Sequence, residues 1–471
     1  MSLPLLNSAD TPRFRALGPH HIDEVAARYG MSKDALEAVR AVSQVLPFRV
    51  NEYVLSELID WHRIPDDPIF QLVFPQHGML AEEDEKLLVG LLRRGGSKRE
   101  LRAEIGRIRA GLNPHPSGQM ELNVPSLSDS ELSGVQHKYR ETVLYFPQQG
   151  QTCHSYCTYC FRWAQFIGDA DLRFAAPDPA LLVEYLTRHP AVSDVLITGG
   201  DPMVMSTERL RGHLEPLLTV DTVRTIRIGT KSVAYWPQRF TSDPDADDAL
   251  RLFEEVVASG RNLAVMAHFS HPRELETALA RRSLARLRAT GALVYCQAPL
   301  IAHVNDDART WADLWRGELA SGAVPYYMFV ERDTGPRQYF EVPLVKAHEI
   351  FQTAYRKLPG LARTVRGPVM SATPGKVVVD GVEETPEGKF FQLRMVQARN
   401  PELVGRPFRA HYSPTAAWVD QLVLDSSAPE DIAEAFGGAM GPAMSGAGAG
   451  ASAGAGSGSA AGAGAGAGVS G

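Results

Sequence analysis

The sequence predicts an α/β fold organised around a parallel sheet, and three observations carry that expectation. Short β-rich apolar runs alternate with amphipathic stretches six times between residues 142 and 330. Glycines fall where helices should end, Gly260 and Gly291 each just ahead of a run. The chemistry-bearing side chains all lie at or just beyond the C-terminal ends of the runs. Repeated strand–helix alternation implies parallel strands joined by right-handed crossovers, and a left-handed residue closing a helix is most often glycine.

In chain order, residues 1 to about 120 read as helical. AVSQVLPFRVNEYVLSELI and EEDEKLLVGLLRRGGSKRELRAEIGRIRAGL place apolar residues at helical spacing, and Pro65 and Pro68 interrupt the pattern. The six apolar runs are TVLYF (142–146), DVLIT (194–198), TIRIG (225–229), LAVMAHF (263–269), LVYCQAPL (293–300) and PYYMFV (325–330). Between them, PALLVEYLTRH, TERLRGHLEPLL, DALRLFEEVVAS, ELETALARRSLARLRAT and RTWADLWRGELA are amphipathic at helical period. A further helix (VKAHEIFQTAYRKL) and short strands (GKVVVDG, KFFQLRMVQ) follow. The end, from about 440 to 471, is Gly/Ala/Ser low-complexity and expected to be disordered. The organisation expected is 1–125 helical, 126–340 the catalytic core, 341–438 a C-terminal helix with short strands, and 439–471 a tail.

Net charge −7 without a basic stripe gives no reason to expect a nucleic-acid partner. No apolar run approaches the ~20 residues of a membrane span. The opening MSLPLLNSADTPRFRALG lacks an apolar core behind a basic segment, so a cytoplasmic location is the default. Of four cysteines, Cys153, Cys157 and Cys160 lie within eight residues, whereas Cys296 is distant in an apolar run. That spacing suits a metal or cluster site in a reducing compartment better than a disulfide framework.

In TCHSYCTYCFRW, three local thiolates would leave one iron of a cubane cluster open to a chelating cofactor. The competing reading is a structural zinc site with His154 as fourth ligand. The first reading gains from position, because the loop follows the first run of a six-unit αβ pattern. Other candidates follow the later runs: Gly199-Gly200-Asp201, Lys231, His268 and His271, Gln297, and Glu331, Arg332 and Asp333. In α/β barrels that end of the sheet carries the active site.

From about residue 57 to 382 the chain resembles the radical S-adenosylmethionine superfamily and, within it, the lysine 2,3-aminomutase family. The resemblance rests on LIDWHRIPDDPIF, CHSYCTYCFRW, VSDVLITGGDPMVMSTERL, IRIGTKSVAYWPQRFT, MAHFSHPRELET, CQAPLIAHVND and VPYYMF. It implies a partial (β/α)6 barrel with an N-terminal helical region and a short C-terminal extension. It also implies a [4Fe-4S] cluster on Cys153, Cys157 and Cys160 that cleaves S-adenosyl-L-methionine, with Tyr159 beside the adenine. Gly199, Gly200 and Asp201 match the motif near the methionine amino group, and His268 and Gln297 match further cofactor contacts. Arg162 matches the arginine that pairs with a substrate carboxylate through its bidentate fork. An amino-acid-like substrate, a flavodoxin- or ferredoxin-type electron donor and a homo-oligomeric assembly would accompany these features.

Two departures restrict the analogy. Family aminomutases hold pyridoxal phosphate on a lysine in a glycine-rich loop. Here LPGLARTVRGPVMSATPGKVVVDG passes straight into strand-like sequence, leaving Lys376, Lys231 or Lys389 as substitutes and pyridoxal phosphate doubtful. The aspartate that receives the distal ammonium of lysine falls at Arg332, with Asp333 adjacent. A cation there repels an ammonium and favours a second carboxylate or a phosphate. The sequence therefore leaves open a radical enzyme without pyridoxal, an aminomutase on a displaced lysine, and a cluster-bearing scaffold.

Overall fold

The computed structural model describes residues 14–114, 122–127, 130–169 and 172–437; the Gly/Ala/Ser tail lies outside them. Eleven strands form one sheet, in spatial order equal to chain order: β1 Val135–Tyr139, β2 Thr142–Tyr145, β3 Asp194–Ile197, β4 Thr225–Thr230, β5 Asn262–His268, β6 Leu293–Leu300, β7 Val324–Val330, β8 Arg366–Ser371, β9 Gly375–Thr385, β10 Gly388–Ala398 and β11 Pro407–His411. Strands β2 to β8 are parallel neighbours. Strand β1 and strands β9 to β11 pair antiparallel at the two ends.

The six expected strands are therefore present within a residue or two of the apolar runs. Alternate side chains explain their apolar character: Val195 and Ile197, or Ile226 and Ile228, are fully buried, as strands covered by crossover helices require. The ladder does not close into a barrel. It runs past residue 340 into a seventh parallel strand and three antiparallel ones. The sheet nevertheless curls, because side chains of β1 reach β8 and β9: Lys138 Nζ donates to Ser371 O at 3.2 Å, and Lys376 Nζ lies 4.1 Å from the Tyr139 ring centre. Arg399, just after β10, donates to the His137 carbonyl and, at 2.7 Å, to Asn123 Oδ1.

Among the described residues the N-terminal region carries five α-helices, α1 Ile22–Tyr29, α2 Lys33–Val42, α3 Pro68–Val73, α4 Glu82–Arg93 and α5 Lys98–Gly111. Ser32 and Ser97 cap α2 and α5 through their hydroxyls, and Asp67 caps α3 with Pro68 at its first position, the residue types that satisfy the orphan amides of a first turn. Crossover helices follow: α6 Ala180–Arg188, α7 Thr207–Leu218, α8 Ala246–Ala258, α9 Ala278–Ala289, α10 Ala308–Ala320 and α11 Leu344–Tyr355. The stretch read as one helix from 274 to 290 is two, a short turn Arg273–Glu276 and then α9. Thr277 divides them, its hydroxyl accepting from Ala280 N at 3.0 Å. Gly260 and Gly291 take φ of +82° and +84° after α8 and α9, the left-handed conformation glycine adopts without penalty.

Candidate active site

The three clustered cysteines sit on the loop leaving β2, and the N-terminal region forms one wall of that loop. Tyr156 N donates to Arg49 O, and Thr158 N to Leu72 O, each at 2.9 Å. The Arg49 guanidinium donates to Thr152 Oγ1 and to Cys153 O. Asn51 Nδ2 donates to Ser155 Oγ at 3.2 Å and to Tyr235 O at 2.9 Å.

The opposite wall is the β3 loop. A Cβ on Gly200 would lie 2.4 Å from Thr152 N and O, and Gly199 has φ +142° with the Gln151 side chain packed on it. Asp201 N donates to Thr152 O at 2.7 Å. Glycine is needed here because two backbones meet. The Asp201 carboxylate is fully occupied by the protein: it accepts from Met203 N, Thr230 Oγ1, Lys231 N and Ser232 Oγ between 2.7 and 3.0 Å. Asp201 thus ties the β3 and β4 loops together.

All three thiols are half-buried and none forms a disulfide. Burial, the dominant cause in each, raises all three thiols, Cys160 to about 12. Each also feels one cation that favours its thiolate: Arg49 at Cys153, Lys231 at Cys157, Arg162 at Cys160. Three half-buried thiols that become ligands only as thiolates, each with its own counter-cation, fit a cluster. Among the described residues no three His, Cys, Asp or Glu side chains converge on a single metal ion. His154 has its Nδ1 bonded to Ser232 Oγ at 2.9 Å, its ring lies edge-on to Phe14 and parallel to Trp236, and burial depresses it to about 3.

Tyr159 is buried, its hydroxyl 3.0 Å from His268 Nε2 and 3.1 Å from Ser270 Oγ. Burial first, then Lys231, pulls His268 well below the ordinary imidazole value, so it is neutral. Lys231, which follows β4, pairs with the buried Glu274 at 2.8 Å. His268 and Gln297 are register partners on β5 and β6. Gln297 is half-buried, and its amide has no hydrogen-bond partner among the described residues, leaving it available to a ligand.

Arg162 is buried beneath the loop, stacked 4.0 Å from the Phe146 ring centre. It donates to Gln151 Oε1 at 3.1 Å and Phe174 O at 3.4 Å; its Nε bonds nothing, and no carboxylate pairs with it among the described residues. Burial pulls it to about 10. Arg332 follows β7 and stacks 5.1 Å from the Phe161 ring centre, next to Cys160. Asp333 turns toward the end of α5, where Asn113 Nδ2 donates to its carbonyl at 2.7 Å and to its carboxylate at 3.1 Å. The structure thus gathers the cysteines, Arg162, His268, Gln297 and Arg332 at one end of the sheet and directs Asp333 elsewhere.

Sequence reasoning missed Arg49, about a hundred residues from the loop it braces, and no local signal marks it. Glu274 was equally unmarked.

No family model matches the chain. Individual relatives do. A putative L-lysine 2,3-aminomutase of Aquifex aeolicus is 32% identical over 380 residues, which is 80% of this chain and 88% of that protein. The chain belongs to the lysine 2,3-aminomutase family. The family's Escherichia coli L-lysine 2,3-aminomutase is 26% identical over 341 residues, 71% of this chain and 85% of its own. That of Acetoanaerobium sticklandii is 29% identical over 224 residues, 48% and 51% of the two chains. Among solved structures, Streptococcus suis SuiB bound to precursor peptide SuiA covers 57% of this chain and 56% of its own at 12% identity, with TM-score 0.32, too slight to carry an argument. Lysine 2,3-aminomutases are radical S-adenosylmethionine enzymes, so the family implies a [4Fe-4S] cluster and S-adenosyl-L-methionine. Among the described residues no helix is long and apolar enough to cross a membrane.

Proposed function

We propose that this protein is a radical enzyme that cleaves S-adenosyl-L-methionine reductively at a [4Fe-4S] cluster on Cys153, Cys157 and Cys160. It then abstracts hydrogen from a carboxylate-bearing, amino-acid-like substrate in a partial (β/α)6 barrel spanning residues 126–340. The observation that carries this reading is the loop of three thiols, each with its own cation, at the C-terminal end of the parallel strands. When bound, the two cofactors supply a one-electron cleavage of the sulfonium and the resulting hydrogen abstraction.

The chain's own residues bind, orient and exclude water. Arg49, Lys231 and Arg162 offset the negative charge of the thiolates. The β3 loop and the segment around Arg49 clamp the cysteine loop from both sides. Gln297, uncommitted within the protein, is the polar contact available to the cofactor. Arg162, without a carboxylate partner among the described residues, would pair with the substrate carboxylate. A flavodoxin- or ferredoxin-type protein would deliver the electron.

The relatives' names suggest lysine as substrate and pyridoxal phosphate as helper. Neither is favoured by the candidate lysines. Lys231 is in an ion pair with Glu274, Lys376 donates to Gln397 Oε1 at 2.7 Å, and Lys389 lies over the Tyr412 ring at the start of β10. An imine-forming lysine must be free to lose its proton.

The test is anaerobic reconstitution. The protein should take up about four irons per chain, as one cubane requires, and release 5′-deoxyadenosine on reduction. Alanine at Cys153, Cys157 or Cys160 should abolish both, and Cys296→Ala neither, since Cys296 is buried in β6. A full cluster in Cys157→Ala overturns the assignment. Formation of β-lysine from lysine and pyridoxal phosphate, lost in Lys376→Ala, would restore the aminomutase reading.

A further inference from the structure

We propose that Lys138 of β1 and Lys376 of β9 form a subsite for an anionic group, a carboxylate or a phosphate, of the molecule processed at the cysteine loop. The inference rests on the enzymatic reading above and deepens it by naming the distal charge of the substrate.

Position comes first. Lys376 is the register partner of Ser371, the last residue of β8, so it stands at the end of the parallel strands that carries the cysteine loop. The curl of the sheet brings Lys138 to the same place. Its Nζ donates to Ser371 O at 3.2 Å and Ser371 Oγ at 3.4 Å. Tyr139 is buried between the two, its hydroxyl 3.5 Å from Ser371 Oγ and its ring under Lys376. Arg332 acts electrostatically on Lys138 and feels Tyr139 in turn while stacking on Phe161, beside Cys160. Lys138 thus lies within the electrostatic reach of a residue that touches the cysteine loop.

Charge comes second. Among the described residues neither lysine forms an ion pair. Asp194, the acid facing Lys376 from β3, is held by Arg227 of β4 at 2.7 Å. Two half-buried ammonium groups without a carboxylate repel each other and lose hydration. The protein shows the strain in two directions. Burial, with Arg332 and Lys376, pulls Lys138 down to about 8, while Lys376 and Lys138 overcome burial and pull Tyr139 down to about 7. The phenol is the nearest group able to supply the missing negative charge. An anionic ligand would supply it instead, returning Lys138 to its charged form and Tyr139 to its neutral one.

Chemistry comes third. The donors are two ammonium groups and the Tyr139 and Ser371 hydroxyls, which suit oxyanions and reject an ammonium. With Arg162 as partner of one carboxylate, the substrate has a second anion at the two lysines.

Binding to the cluster-replete full chain with S-adenosyl-L-methionine and no reductant tests this by calorimetry. The probes are glutamate for a second carboxylate, phosphoserine for a phosphate ester, inorganic phosphate alone, and lysine. At least one of the three anionic probes should saturate and lysine should not; glutamate against phosphoserine decides between the two sources. Lys376→Met and Lys138→Met should each weaken anion binding roughly tenfold or more, and Lys376→Arg should retain it. Affinity should fall as pH rises through about 7 to 8, where Tyr139 ionises and Lys138 loses its proton. Lysine binding as tightly as glutamate, or anion affinity unchanged in both Met variants, or no binding of any anionic probe overturns the subsite. Release of 5′-deoxyadenosine is measured separately. Anion binding without it defeats the radical reading alone; its release without anion binding defeats the subsite alone.

Discussion

At the corner between β3 and β4, the Asp201 carboxylate accepts from two hydroxyls and two backbone amides and has no capacity left for a ligand. On the other side of the cysteine loop, Arg162, Lys138 and Lys376 are cations half or fully buried with no carboxylate among the described residues. Both regions bury charge, and burying a charge is costly unless it is paired and hydrogen-bonded. The β3–β4 corner meets that cost internally and so is rigid scaffold. The other side leaves it partly unmet, as a surface waiting for an anion does. The difference separates residues that hold the loop in place from residues that hold what the loop acts on.

The comparison breaks most visibly at Gly200. An alanine there puts a methyl carbon 2.4 Å from the Thr152 backbone, a contact that only a shift of the cysteine loop relieves. We expect Gly200→Ala to lose most of its iron uptake and to melt a few degrees lower, since overpacking costs about 1–3 kcal/mol and each kcal/mol moves Tm by roughly 1 °C in a chain of 471 residues. Iron content by colorimetry and melting by circular dichroism check it. Unchanged iron would mean that the loop is not clamped by its β3 neighbour.

Arg162 tests the other side. Arg162→Met relieves the cost of burying an unpaired cation but removes its bonds to Gln151 Oε1 and Phe174 O, so the two effects offset and the variant should melt close to the parent. Loss of the guanidinium should meanwhile raise KM for a carboxylate substrate roughly tenfold or more, the worth of a charge-assisted hydrogen bond. A variant that melts lower with KM unchanged would make Arg162 a scaffold residue like Asp201.

These two regions were not equally legible in the sequence. The six central strands were readable because strands covered on a face by helices become apolar runs, as DVLIT and LAVMAHF do. Strand β1, VQHKY, was not: its middle is Gln136, His137 and Lys138, and its strand character comes from pairing with β2. Strand β8 was hidden by Gly367 and Pro368, both poor strand formers. The cysteines were legible because their geometry is local, a spacing within one loop. Asp201 was picked out through its glycines, but its bonding to Thr230 and Ser232 needed the parallel register of β3 and β4. Lys138 and Lys376 are 238 positions apart in a chain of 471; only the curl of the sheet makes them neighbours. Arg332 was legible as a charge replacing an acid and Lys376 as a candidate pyridoxal lysine, yet Lys138 and its closeness to Lys376 were not.

Tyr159 lies between the two regions and is the finest test of how they differ. It precedes the last cysteine, where the family resemblance would place a ring beside an adenine, yet its hydroxyl is committed to His268 Nε2 and Ser270 Oγ. Tyr159→Phe keeps the ring and removes only the hydroxyl. Ser270 Oγ, already 3.4 Å from His268 Nε2, can take over that bond, so the loss should be small, about 0.5–1.5 kcal/mol by denaturant unfolding. Because the ring remains, affinity for S-adenosyl-L-methionine should stay within about twofold, a difference of less than 1 kcal/mol. If the stability holds and cofactor affinity falls tenfold, the hydroxyl serves the ligand, and Tyr159 belongs with the side of the loop that waits for one. The stability loss without the affinity loss places it with Asp201, as scaffold that spends its hydrogen bonds within the fold.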